Sequence, residues 1–227
     1  MSLRFSAIIT AAGSSQRFNM SSGSNVKKEF LSLGSSTVLG SAIKPFLQIE
    51  GLVSLVVTYR EGELEKTRSL LSDIDYDIAL VQGGKTRQES VFNALKYLKD
   101  SKADIDYVSI HDGARPFVTK DLIERCLLTA ERTGGSCPCI RVTDTLVKVD
   151  EQGLVCSRIA RDGVCTVQTP QIFRFPEIYL AHLNAKPGKA YTDDTEIFMD
   201  GGGKVGFVQG DPDNRKITYA ADLREGL

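Results

Sequence analysis

FSAIITAAGSSQRF, residues 5–18, decides how the rest of the chain is read. Residues 5–10 are apolar or small with no polar face, as in a strand buried on both sides. They run directly into Ala11, Ala12, Gly13 and Ser14, a small-residue turn, and then reach Arg17. A strand that opens into such a turn lets main-chain N–H groups approach a phosphate.

Three further runs resemble the first: VSLVVT (53–58), IALVQ (78–82) and YVSI (107–110). Between and after them, residues 38–49, 62–72, 88–99 and 119–132 place Leu, Ile, Val or Phe at helical spacing, with Pro45 expected to kink the first helix. The resulting alternation predicts an α/β, Rossmann-like, mostly parallel sheet with helices on both faces. Ligands of such sheets sit at the carboxyl ends of the strands, so the segments after Thr10, Gln82 and Ile110 are expected to converge.

The rhythm breaks at RVTDTLVKVDEQGLVCSRIAR (141–161), where two apolar runs flank the turn-like DEQG. This predicts a protruding β-hairpin arm. Exposed Val and Leu on such an arm require a cover, and a second copy is the simplest one, so a homodimer is expected. A length of 227 residues suits one nucleotide-handling domain, 1–227, with the arm as an insertion.

The composition, 41% hydrophobic and 25% charged, is that of a globular protein. A net charge of −1 gives no overall field for nucleic acid or an anionic membrane, and the apolar run at the N-terminus is short, so a cytoplasmic setting is expected. Five cysteines, an odd number, are expected to be reduced thiols, and SCPCI (136–140) without a second cluster does not make a zinc site.

Arg17, Lys27 and Lys28 follow the first turn and can neutralise a polyphosphate. The turn is neither GxGxxG nor a P-loop, since the GGKT at 83–86 would need a glycine where Ala79 stands. Residues 13–26, rich in Ser, Gly and Asn, read as a flexible loop. In the second segment Gly83 and Gly84 leave room for a flat base, and Ser90 can bond base or ribose or simply cap a helix with Arg87 nearby. In the third, His111, Asp112, Gly113 and Arg115 leave a buried strand together. Asp112 can orient a hydroxyl or help hold a magnesium ion, Arg115 either meets substrate or bridges loops, and His111 reads as structural. No GxSxG elbow or nucleophilic triad is present, and His182 falls in an ordinary helical stretch.

Taken together, AAGSSQRF, VKKEF, GGKTRQESV, HDGARPF, TDTL, TPQIF and DNRKIT resemble the 2-C-methyl-D-erythritol 4-phosphate cytidylyltransferase family, in family order from residue 7 to about 223. The resemblance implies a Mg2+-dependent reaction of CTP with a polyol phosphate and a dimer joined through the arm. It implies that Arg17 and Lys28 stabilise the transition state while Arg161 and Lys216 position the substrate phosphate. Ala11, Ala12, Gly13, Ser14, Gly83, Gly84, Ser90, Asp112 and Gly113 fall where the family binds nucleotide. Asp112, Arg115, Thr145, Arg161, Thr169 and Lys216 fall where it binds substrate. The metal ligands stay unassigned, and with Lys27 beside Lys28 either lysine can fill the catalytic role. Ribitol-5-phosphate cytidylyltransferase and a catalytically silent nucleotide-binding protein are the alternatives.

Overall fold

The computed structural model describes residues 3–226. The elements run β1 (Phe5–Thr10), α1 (Gln16–Ser22), a small ribbon of β2 (Ser32–Leu33) and β3 (Ser36–Thr37), α2 (Val38–Ile43), β4 (Leu52–Tyr59), α3 (Leu64–Leu71), β5 (Ile78–Gln82), α4 (Arg87–Asp100), β6 (Tyr107–Asp112) and α5 (Lys120–Thr133). They continue with β7 (Gly134–Arg141), β8 (Leu146–Val149), β9 (Val155–Ile159), β10 (Cys165–Val167), β11 (Gln171–Arg174), α6 (Phe175–Leu183), α7 (Asp194–Asp200) and β12 (Lys204–Gln209).

The four strands anticipated from sequence pair in parallel in the order β5-β4-β1-β6. Strand β11 then joins β6 antiparallel, and β7 carries the sheet on with β12 parallel and β10 antiparallel to it. Period-two alternation explains the two layers of helix. Ala7, Ile9, Leu55 and Val57 face one side, where Leu39, Ile43, Leu122 and Ile123 of α2 and α5 cover them. Ile8, Val56, Val108 and Ile110 face the other, against Val91, Leu95, Ile178 and Phe198 of α4, α6 and α7. The α/β, Rossmann-like architecture with helices on both faces is therefore the observed one.

Two local expectations change. The helix expected over 38–49 stops at Ile43, and Pro45 begins a separate 3-10 turn at Phe46–Gln48. The segment expected as a loop contains α1, whose weak local propensity is supplemented by Phe18 packing with Val38 and Ile217. The arm is present as β8 and β9, antiparallel, with Leu146 opposite Ile159 and Val147 opposite Arg158. Its turn is closed by the Asp150 carboxylate, which accepts from the N–H groups of Gln152 and Leu154 at 3.0 and 2.9 Å. Val149, Leu154 and Val155 stand in solvent at 56–66% exposure, so the single chain leaves the arm uncovered.

Candidate active site

The segments leaving β1, β5 and β6 do converge, around a cleft of about 1040 Å³. That is at the upper end of small-molecule sites, which run to roughly 1,000 Å³, and leaves room for a nucleotide with a second substrate. Ala12, Gly13, Ser14, Arg17, Lys28, Gly83, Gly84, Ser90, Asp112 and Lys216 all line it. Ala11 lies just beneath, its N–H donated to the carbonyl and hydroxyl oxygens of Thr58 at 3.1 and 3.2 Å, which anchors the turn to β4.

The β1 and β5 loops touch. A Cβ on Gly83 would stand 2.4 Å from Cβ of Ala12 and 2.7 Å from Oγ of Ser90, so only glycine lets the loops approach this closely. The Ser90 hydroxyl donates to the Thr86 carbonyl at 2.8 Å and accepts from the Gly84 N–H at 3.1 Å. It thereby shapes the first turn of α4 while also facing the cleft. Gly113 plays a similar packing part behind the wall: its N–H reaches the Thr10 carbonyl at 3.0 Å, and a side chain there would meet Leu39.

Lys27 and Lys28, equivalent in sequence, part company in space. The Lys27 ammonium is buried in an ion pair with Glu63 and sits over the Phe30 ring. Lys28 lines the cleft, with its Nζ donating to the carbonyl of Ile217 at 2.6 Å. Burial lowers the Lys28 pKa, helped by the positive charges of Lys216 and Arg17 and opposed by Glu29 and Asp112. Ser15 braces this lysine: its hydroxyl accepts from the Lys28 N–H and donates to the Glu29 carboxylate, both at 3.2 Å. Ser15 does so from a left-handed backbone, φ 55°, that costs a residue with a side chain about 1 kcal/mol. Arg17 is exposed on α1 and, among the described residues, has no ion-pair partner.

Asp112 ends β6 among three cations. Lys216 Nζ lies 2.8 Å from one carboxylate oxygen, Arg115 Nε 3.8 Å from the same oxygen, and Arg87 Nε 3.3 Å from the other. Burial alone would raise this carboxyl's pKa, but Lys216, Arg87 and Arg115 hold it well below the usual carboxylate range. Arg115 bridges loops within the chain, its guanidinium also donating to the Asn214 carbonyl at 2.7 Å.

Thr169 stands behind Asp112 and outside the cleft wall. Its hydroxyl accepts from the Asp112 N–H at 3.1 Å and lies 3.0 Å from Nδ1 of His111, whose Nε2 lies 3.1 Å from the Arg115 carbonyl. One pattern satisfies all three contacts: Thr169 donates to Nδ1 and Nε2–H donates to the carbonyl, giving a neutral imidazole. Burial drives the pKa of His111 down to about 4, in keeping with that form. His111 is structural, as its position at a strand end suggested.

Thr145 and Arg161 do not reach the cleft within one chain. Both are exposed at the root of the arm, where Arg161 donates to the Thr143 carbonyl. Conversely, sequence reading left Arg87 without a role and took His182 as ordinary, whereas Arg87 bridges Asp112 to Asp194, which is fully buried and meets His182. The one available signal was the position of Arg87 in the first turn of α4 behind the glycine pair.

The cleft joins a glycine pair at one strand end, a small-residue turn at the next, and the cations Arg17 and Lys28 beyond it, an arrangement suited to a polyphosphate. A nucleotidyltransferase is the class this fold and site define. A family profile described as 2-C-methyl-D-erythritol 4-phosphate cytidylyltransferase matches residues 5–226. The Bacillus mycoides protein of that description is 35% identical over 222 residues, covering 96% of this chain and 94% of its own. A Rhodobacter capsulatus protein described as the bifunctional enzyme IspD/IspF is 40% identical over 216 residues, 95% of this chain and 53% of its own, so the chain spans about half of that relative. The crystal structure of 4-diphosphocytidyl-2C-methyl-D-erythritol synthase from Anaerococcus prevotii superposes with a TM-score of 0.82 at 28% identity, covering 99% of this chain and 94% of that one. The chain belongs to the 2-C-methyl-D-erythritol 4-phosphate cytidylyltransferase family.

Proposed function

We propose that the chain transfers the cytidylyl group of CTP to 2-C-methyl-D-erythritol 4-phosphate, releasing pyrophosphate and forming 4-diphosphocytidyl-2-C-methyl-D-erythritol for non-mevalonate isoprenoid biosynthesis. The observation that carries this is the placement of Lys28 and Arg17 on the same cleft as the Gly83–Gly84 slot, while Lys27 is paired away. Cytosine lies against Gly83, Gly84 and Ser90, and the triphosphate runs along Ala12, Gly13 and Ser14. The acceptor phosphate is a monoester with a second pKa near about 6, so it is largely dianionic at neutral pH and attacks the α-phosphorus without a general base. Arg17 and Lys28 take up the charge that grows on pyrophosphate.

Among the described residues no three His, Cys, Asp or Glu side chains form a metal cage. Asp112, already faced by three cations, can offer a single carboxylate edge. That donor set would suit a Mg2+ ion arriving with the triphosphate, which Asp112 would help to hold. Bound there, the ion supplies charge neutralisation to the triphosphate. Lys216, together with Arg161 and Thr145 from the arm of a second copy, holds the acceptor, which makes the homodimer the active form in a cytoplasmic setting without membrane or nucleic acid. The uncovered Val149, Leu154 and Val155 support that cover.

Pyrophosphate release from CTP and Mg2+ tests the reading, with methylerythritol phosphate and ribitol 5-phosphate in parallel and Lys28→Ala as control. Turnover with methylerythritol phosphate alone, lost in the variant, is expected. Turnover with ribitol 5-phosphate would move the enzyme to another pathway, and CTP binding without turnover would make it a silent nucleotide-binding protein.

A further inference from the structure

Asp112 is not oriented by its own strand alone. The Arg87 guanidinium is forked between two carboxylates, with Nε 3.3 Å from Asp112 Oδ1 and Nη1 2.6 Å from Asp194 Oδ2. Asp194, the first residue of α7, is completely buried and its second oxygen lies 3.2 Å from Nε2 of His182. Its N–H donates to the Gln171 side chain at 3.1 Å, and the amide of Gln171 in turn donates to Asp193 at 3.1 Å. The His182 ring is stacked on Phe92 at 6.1 Å between centroids. A chain of contacts therefore runs from the α6–α7 unit, His182 to Asp194 to Arg87, and ends on the cleft carboxylate.

The two halves of this fork are unequal. Arg87 is closer to Asp194 than to Asp112, and Asp112 turns its other oxygen to Lys216 at 2.8 Å. Burial would lower the arginine's pKa, but Asp194 and Asp112 more than offset it. A guanidinium is planar with its donors in a fixed fork, so fixing one end on a buried carboxylate fixes the direction of the other. With one end fixed on Asp194, the Nε end of the guanidinium holds the Asp112 carboxylate from the side opposite Lys216.

We propose that Arg87 and Asp194 are positioning residues for the acceptor half of the site. Asp194 fixes Arg87, and Arg87 in turn fixes the Asp112 carboxylate, so that Asp112 is oriented to accept from a hydroxyl of the polyol phosphate and Lys216 stays in place for its phosphate. The inference rests on the functional reading above. It goes beyond that reading in tracing the orientation of Asp112 to an ion pair between Arg87 of α4 and the buried Asp194 of α7, a helix that contributes no residue to the cleft wall.

The test is calorimetric binding of methylerythritol phosphate to the full chain saturated with a non-hydrolysable CTP analogue, together with steady-state kinetics and thermal melts. Asp194→Asn keeps the shape and removes the charge. Loss of one charge-assisted contact in the chain predicts about tenfold weaker acceptor binding and a matching rise in its KM, with the KM for CTP within about twofold. Arg87→Met gives the same pattern, Arg87→Lys does not rescue it because an ammonium cannot fork, and Asp194→Asn adds nothing in the Arg87→Met background. A purely structural role would instead raise both KM values together or make the two substitutions additive, and either result overturns the proposal. So does unchanged acceptor binding in a folded Asp194→Asn protein. Should Asp194→Asn fail to fold, Arg87→Lys at the cleft rim carries the same comparison. Failure of the wild type to bind methylerythritol phosphate would overturn the functional reading and this inference with it, whereas normal wild-type binding unchanged in the variants overturns the inference alone.

Discussion

Replacing His111 by Gln should remove much of the protein's sensitivity to mild acid. The imidazole is completely buried between the Thr169 hydroxyl and the Arg115 carbonyl, packed against Phe46, and burial is the largest cause of a pKa of about 4, opposed by the hydrogen bond to the Arg115 carbonyl and the charge of Asp112 and helped by the charges of Arg115 and Lys216. An unfolded histidine titrates near about 6.5. The folded pKa lies below the unfolded one, so the neutral form stabilises the fold fully above about pH 6.5 and that stability drains as pH falls from there towards 4. The slope in that window is about 1.4 kcal/mol per pH unit, and integrating between about pH 7 and pH 5 gives about 2 kcal/mol. Asp112 and Asp194, whose pKa values are lowered, lose their stabilisation at more acid pH, and Glu29, raised by burial, acts in the opposite sense. Those contributions are common to both proteins and cancel in the comparison. Urea unfolding of wild type and His111→Gln at the two pH values measures it: the variant is less stable at neutral pH, and its further loss on acidification is smaller than that of wild type by about 2 kcal/mol. Equal losses in the two proteins would refute the assignment of a buried neutral imidazole.

Lys28→Ala should cut kcat by about a hundredfold or more, while Lys27→Met keeps kcat within about threefold and instead destabilises the fold by about 1–3 kcal/mol, because it leaves Glu63 without its partner. Steady-state kinetics beside thermal melts separate the two lysines. Gly83→Ala should raise the KM for CTP about tenfold by pushing Ala12 away, and Ala12→Gly in the same chain should recover part of the loss, since Cβ of Ala12 is the nearest atom. Mixing inactive Lys28→Ala and Arg161→Ala chains should restore activity to about a quarter of wild type, the share expected if half the dimers are mixed and each has one intact site. Activity that stays at zero after verified subunit exchange would place Arg161 in its own chain's site.

The parallel half of the sheet was legible because Ala7, Ile8, Ile9, Val56, Val57, Val108 and Ile110 are all fully buried, which makes short apolar runs without a polar face. The arm was legible from DEQG, whose Asp150 and Gly153 close the turn locally. What escaped sequence reading depends on contacts far along the chain. Helix α1 is weak in local propensity and gains from Phe18 meeting Ile217, near the other end of the protein. Lys27 and Lys28 differ only because Glu63 takes one and the Ile217 carbonyl the other. Arg87 finds Asp194 across 107 positions, a separation over which no periodicity or motif gives a signal. Thr169, expected at the substrate, also supports the main chain of Asp112, a contact across 57 positions that no local pattern signals.

The most direct test of the account follows an isotope. Methylerythritol phosphate carrying 18O in its phosphate is incubated with the chain, CTP and Mg2+, and the products are separated and weighed by mass spectrometry. Attack by the acceptor phosphate on the α-phosphorus predicts a cytidine diphosphate methylerythritol that retains all of the label and a pyrophosphate that carries none. Labelled pyrophosphate, labelled inorganic phosphate, or no cytidine-linked product would contradict it.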